Sequence, residues 1–142
     1  MASNNSLFRF NLFFSYCGEN KNEAYKLYEE LKKRGLKIWI DKEQMKSGNV
    51  YDLMKKGIDE SELFLCCATT SYCESTNCKL EWNYAVAIEK KFIYIIFEKF
   101  KNQQERMKKL DKISLHLAGQ KYYKHEDVAG IITAIRDLVH MI

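Results

Sequence analysis

The side chains best suited to metal binding or nucleophilic chemistry in this 142-residue chain are five cysteines and three histidines. Their spacing argues against both uses. Cys66 and Cys67 are adjacent, Cys73 and Cys78 lie five apart, and no CxxC pair occurs. His116, His125 and His140 are isolated, without the i, i+4 spacing that places two imidazoles on one helix face. No metal site is expected. An odd cysteine count in a chain without secretory features implies free thiols. No GxSxG elbow is present to raise a nucleophilic serine, so a Ser/His/Asp triad does not assemble. Neither GxGxxG nor GxxxxGK[ST] is present to cradle phosphates. The formal net charge is +4, from 23 Lys and Arg against 19 Asp and Glu. These cations are spread along helices rather than clustered with aromatics, which indicates a solvated surface and no nucleic-acid partner.

The elements that would position such residues follow from hydrophobic patterning. The length fits one domain, and the 46% hydrophobic content suits a packed core. No apolar run reaches the ~18 residues of a membrane-spanning helix. Met1 to Ser6 is polar and lacks a leader's apolar core, so residues 1–6 are expected as a disordered tail before a domain over 7–142 in the cytoplasm. Phe10 to Ser15 reads as a buried strand. Ala24, Leu27, Tyr28 and Leu31 have helical spacing, closed by Gly35. Lys37 to Ile40 is a second strand and Asp41 to Asn49 a polar loop. Val50, Leu53, Met54 and Ile58 mark a helix, and Leu63 to Ala68 a third strand. Leu80, Tyr84, Ala87 and Ile88 mark the next helix, and Phe92 to Phe97 the fourth strand. A short helix and a fifth strand near Lys121 to Tyr123 are expected in the region from Lys101. Val128, Ile131, Ile132, Ile135, Leu138 and Val139 line a final amphipathic helix.

Strands apolar on both faces, alternating with helices, imply a parallel sheet covered on both sides. With right-handed crossovers, the expected architecture is an α/β, flavodoxin-like, five-stranded parallel sheet of order 2-1-3-4-5. Ligands in such folds sit beyond the carboxyl ends of the strands, where strand order switches. The loops after Ser15, Ile40 and Ala68 are therefore the place for chemistry. A phosphate-accepting receiver domain needs an Asp at the end of the third strand, where this chain has Ala68-Thr69-Thr70-Ser71. A flavodoxin needs a hydroxyl- and Gly-rich loop after the first strand, where this chain has Tyr16-Cys17-Gly18-Glu19-Asn20.

Three segments resemble the boxes of the Toll/interleukin-1 receptor (TIR) domain family. Phe13 to Asn20 (FFSYCGEN) is similar to the first box, a Phe-x-Ser-Tyr ending the first strand. Gly35 to Gly48 (GLKIWIDKEQMKSG) resembles the second strand and the following BB loop, with Trp39, Asp41 and Gly48 at family positions. In Ile58 to Ala85, the residues Ser61, Tyr72, Ser75, Cys78 and Glu81 match the family's S…Y..S..C..E pattern. The resemblance runs from about Leu7 to Leu138, with the three boxes in order and correctly spaced.

The resemblance implies a role for Glu81, which falls where NAD-cleaving TIR domains carry their catalytic glutamate. Glycosidases normally use a second carboxyl group to protonate the leaving group. Nicotinamide leaves NAD+ from a cationic state and needs no such acid. One anion at the ribose can then stabilise an oxocarbenium-like transition state. The resemblance further implies Tyr16, Cys17, Gly18, Trp39, Asp41 and Lys46 as substrate-binding positions. NAD+ would be the substrate, with no cofactor, and the products nicotinamide with ADP-ribose or its cyclic form. It also implies homotypic assembly with other TIR domains through the BB loop, Asp41 to Asn49, in innate-immune or cell-death signalling. Each residue has a plainer reading beside this one. Glu81 can be a helix surface acid, Trp39 a core aromatic, and Tyr16 a packing residue. The chain also departs from its relatives. Asn77 stands where many members have Trp, and Cys17-Gly18 where the animal NADases have two arginines. Lys46-Ser47-Gly48 lacks the proline of the receptor-type loop. The alternative functions are a non-enzymatic TIR scaffold and a nucleoside transferase using a lone glutamate.

Overall fold

The structure is a computed structural model and describes residues 8–41 and 49–139. The tail expected at residues 1–6 and most of the BB loop, Lys46 and Gly48 included, lie outside the described residues. Five strands form one sheet in the order β2-β1-β3-β4-β5, as the patterning predicts. The strands are β1 (Phe10–Ser15), β2 (Ile38–Trp39), β3 (Ser61–Ala68), β4 (Lys91–Ile96) and β5 (Tyr122–Lys124). All four pairings are parallel. The described helices are α1 (Lys21–Lys33), α2 (Val50–Asp59), α3 (Thr70–Glu74), α4 (Thr76–Ala87), α5 (Gln103–Lys109), α6 (Asp111–Ala118) and α7 (Val128–Leu138).

The β-strands alternate their side chains between two cores. On one face, Leu12, Phe14, Leu63, Leu65, Ile93 and Ile95 meet the apolar stripes of α1 and α7. On the other, Phe13, Phe64, Cys66, Phe92 and Tyr94 meet residues of α2, α3, α4 and α6. Leu12 and Phe13, Leu63 and Phe64, and Ile93 and Tyr94 are all fully buried neighbours pointing to opposite faces. That is why these strands carry no polar alternation. Gly35 ends α1 at φ +88°, and its N–H returns to the Lys32 carbonyl at 3.0 Å, the left-handed C-cap read from the sequence.

The structure differs from the expected elements in four places. β2 is shorter than Lys37 to Ile40, and the Lys37 N–H donates to the Asn11 side chain at 2.7 Å instead of to a strand backbone. The stretch after β3 is two helices, because Ser75 leaves helical geometry and caps a new start by accepting from the Cys78 N–H. Two helices, α5 and α6, occupy the region where one was expected, the first capped by Asn102 accepting from the Glu105 N–H. Finally, α4 turns only part of its expected stripe inward, with Leu80 and Tyr84 partly buried against the core. Ile88 is 40% exposed and Ala87 is exposed, while Cys78 and Ala85 are buried.

Candidate active site

The carboxyl end of β1 places Ser15, 1% exposed, at the point where strand order switches between β1 and β3. A buried hydroxyl at the end of an apolar strand requires partners, and this one has two. The Ser15 Oγ–H donates to Glu81 Oε1 at 2.6 Å. Its single proton being used there, Ser15 accepts from the Tyr72 hydroxyl, also at 2.6 Å. Tyr72 comes from α3, whose start is set by Thr69 accepting from the Tyr72 N–H. Glu81 comes from the second turn of α4. A one-way chain thus runs Tyr72 to Ser15 to Glu81, joining three elements at the switch point.

The electrostatics of Glu81 follow from this enclosure. Burial raises its pKa from an ordinary 4.5 to about 8; the Ser15 hydrogen bond pulls it down in part, and the charge of Asp41 adds to the rise. The residue as a whole retains some solvent exposure, while its carboxyl group is desolvated. Tyr72 is held protonated by burial, with the neighbouring Cys66 and Glu81 adding to the effect.

A second polar set borders the first. The Tyr16 hydroxyl donates to Asp41 Oδ1 at 2.8 Å and accepts from the Tyr25 hydroxyl at 2.9 Å. Burial, with the neighbouring Tyr25 and Asp41, keeps the Tyr16 proton in place. Cys78 Sγ donates to the Tyr16 carbonyl at 3.4 Å, tying α4 to the loop after β1. Burial pushes the Cys78 thiol up to about 12, so it is no nucleophile at neutral pH.

The structure therefore brings together Tyr16, Asp41 and Glu81 of the positions named from the sequence. Gly18 is exposed at the start of a 3-10 turn, Gly18–Asn20, with open space where a Cβ would stand. Cys17 is buried in the same apolar cluster as Trp39. Trp39 is 4% exposed. Its ring stacks on Phe13 at 4.3 Å and 9°, and its indole lies so close to Gly57 that an added Cβ would meet it at 2.5 Å. The core reading of Trp39 is the one its packing supports. The roles of Ser15 and Tyr72 were not drawn from the sequence, although both stand in the matching boxes. The available signal was a serine closing an otherwise apolar strand.

A pocket of about 220 Å³ borders Tyr72 and Trp82. A cleft of about 940 Å³ sits beyond the carboxyl ends of β4 and β5 and includes no member of the Glu81 cluster. Among the described residues, no group of three or more His, Cys, Asp or Glu could hold a metal ion. No helix among them is long and apolar enough to cross a membrane.

A doubly wound parallel domain with a carboxylate and hydroxyl cluster at its switch point defines the class. A model of the TIR domain family matches residues 12–129, most of the chain, and this protein belongs to that family. Its fold is similar to the crystal structure of the TIR domain of the Toll-related receptor TRR-2 from Hydra magnipapillata. The TM-score is 0.70 at 12% identity, over 89% of this chain and 98% of that one. At that identity the likeness speaks for the fold. No curated protein matches the sequence.

Proposed function

We propose that this TIR domain is an NAD+ glycohydrolase of the cytoplasm, with Glu81 as its catalytic carboxylate. The observation that carries the proposal is the Ser15 hydrogen bond to Glu81 at the switch point. It fixes a desolvated carboxylate where this fold class receives ligands. In the free protein at neutral pH, Glu81 is mostly protonated, given its value of about 8. A cationic nicotinamide riboside entering the corner favours the ionised form and lowers that value. The carboxylate then faces the charge that spreads onto the ribose as nicotinamide departs, while Ser15 holds its second oxygen-bearing edge in place. The bond between the ribose anomeric carbon and the nicotinamide nitrogen breaks, its electron pair goes to the nitrogen, and water or an internal nucleophile captures the sugar. Asp41 and Tyr16 form the adjacent wall.

Homotypic assembly through residues 41–49 accompanies this reading, and its consequence is a specific activity that rises with protein concentration. Purified protein incubated with NAD+ should release nicotinamide. Glu81→Ala should lose ~10²-fold or more while keeping its circular-dichroism spectrum. A folded variant as active as the parent would falsify the assignment. The second reading, a scaffold that signals only through TIR contacts, is favoured by the same geometry seen differently. A glutamate satisfied by Ser15 also serves to clamp α4 to β1. Concentrated, clustered protein that leaves NAD+ intact would decide for the scaffold.

A further inference from the structure

The cleft beyond β4 and β5 has features that packing alone does not explain. Arg106 of α5 lines it, yet its Nε is buried with no hydrogen-bond partner among the described residues. That nitrogen is closed off from the cleft, and what an arginine lining such a space offers a ligand is the planar donor edge of its guanidinium, which suits phosphate. The Arg106 guanidinium lies over the Tyr122 ring, 4.5 Å from its centroid, which holds the charge at the wall rather than out in solvent. Lys99 and Lys124 line the same cleft. Two carboxylates line it as well. Glu98 accepts from the backbone N–H and hydroxyl of Thr70, and the Glu126 side chain is mostly exposed to solvent.

The remaining walls are flat and amide-bearing. Phe97 and His125 stack at 4.7 Å and 11°, and Phe100 and Tyr122 add aromatic surface. Gln103 and Gln120 present side-chain amides to the same space. The volume of about 940 Å³ lies at the upper end of the small-molecule range. Its position beyond the carboxyl ends of parallel strands is the ligand-facing side of this fold class.

We infer that the β4–β5 cleft is a second small-molecule site, separate from Glu81, that binds a nucleoside phosphate. Arg106, with Lys99 and Lys124, takes the phosphate. Three cations suit a group of more than one negative charge better than a lone carboxylate would. The aromatic walls take the base, and the glutamine amides suit ribose hydroxyls and base edges. This site stands whether or not Glu81 cleaves NAD+, since no residue is shared between them.

Titration calorimetry and amide chemical-shift mapping with AMP on the intact chain test it. Adenosine, ribose 5-phosphate and inorganic phosphate serve as separate arms. AMP should bind and shift the amides around Phe97, Arg106 and His125. Adenosine and phosphate alone should each bind at least about tenfold more weakly. Arg106→Ala should weaken AMP by at least about tenfold, and Glu81→Ala should leave AMP affinity at this site unchanged. Should Arg106→Ala fail to fold, Lys124→Ala at an exposed position provides the same readout with a smaller loss. The inference is overturned if AMP fails to bind at millimolar concentration, on the order of the weakest specific affinities. It is equally overturned if shifts centre on Ser15 and Glu81, or if inorganic phosphate binds as well as AMP.

Discussion

The carboxyl edge of the sheet has two unlike corners. At β1 and β3, polar groups are packed against one another. Ser15, Tyr72 and Glu81 complete each other's hydrogen bonds at 2.6 Å, and the titrating group is an acid pushed toward neutrality. At β4 and β5 the space is open, and its lining carries Lys99, Arg106 and Lys124 against Glu98 and Glu126. If both proposals hold, one fold separates two tasks. A desolvated acid tuned by neighbours suits bond-breaking, whereas an open cleft with more cations than carboxylates suits binding an anion.

The largest effect that would sharpen this contrast is on turnover. Glu81→Gln should reduce NAD+ cleavage by ~10²-fold or more, while Arg106→Ala should leave turnover within about twofold, both read from nicotinamide release. Equal losses in the two variants would erase the distinction between the corners.

A smaller effect concerns pH. The kcat/KM profile reports the free protein, so it should rise with pH and level off near the Glu81 value of about 8. Ser15 lowers that value, so Ser15→Ala should move the rise to higher pH and cost roughly tenfold at neutrality. Tyr72→Phe removes the donor behind Ser15 and should move the profile the same way by less. A rate profile that keeps its midpoint in Ser15→Ala would mean that the serine only packs.

Stability should respond with the opposite sign. Because the folded pKa of Glu81 lies above its ordinary 4.5, folding takes up a proton. Its contribution is whole below the ordinary value and is lost as pH rises to about 8. Glu81→Gln should therefore raise the melting temperature by roughly 3 °C at pH 8, and by less at pH 5. A loss of stability at pH 8 would show that the charge is welcome in the fold. Smaller still in its bearing on the corners is the thiol count. All five cysteines are free and buried, so denatured protein without reductant should titrate five sulfhydryls, and native protein should react slowly.

The legible and illegible parts of the fold separate by the kind of force involved. β1 was legible to both ends, because Phe10 to Ser15 is buried on two faces and closes on a polar residue. The final helix was legible because its apolar stripe faces α1. The inward face of α4 was not, since Leu80, Tyr84, Ala87 and Ile88 suggested one stripe while Cys78 and Ala85 are the buried pair. Glu81 came from a pattern match, and its tuning by Ser15 depends on a contact across 66 residues that no local spacing encodes. The Arg106 cleft was invisible for a similar reason. Its walls are drawn from two separated stretches, 96–106 and 117–126, most of whose charged members look like ordinary surface residues one at a time.

The odd packing of α4 has a consequence for motion. Polar tethers supplement the apolar contacts of Cys78 and Ala85 in holding this helix. Ser15 bonds Glu81, Trp82 Nε1 donates to the Tyr94 hydroxyl at 2.8 Å, and the Tyr84 hydroxyl donates to Asp59 at 2.7 Å. The last of these is exposed, where water replaces a bond at little net loss, while the other two end on the buried hydroxyls of Ser15 and Tyr94 and are released only as the whole helix opens. Local opening of this helix with the sheet intact is therefore the expected first step of unfolding. In hydrogen exchange, α4 amides should open well before those of β3, which pairs on both sides and is buried along its whole length. Catalytic competence would then fade on warming ahead of the melt, lost through local opening of one helix.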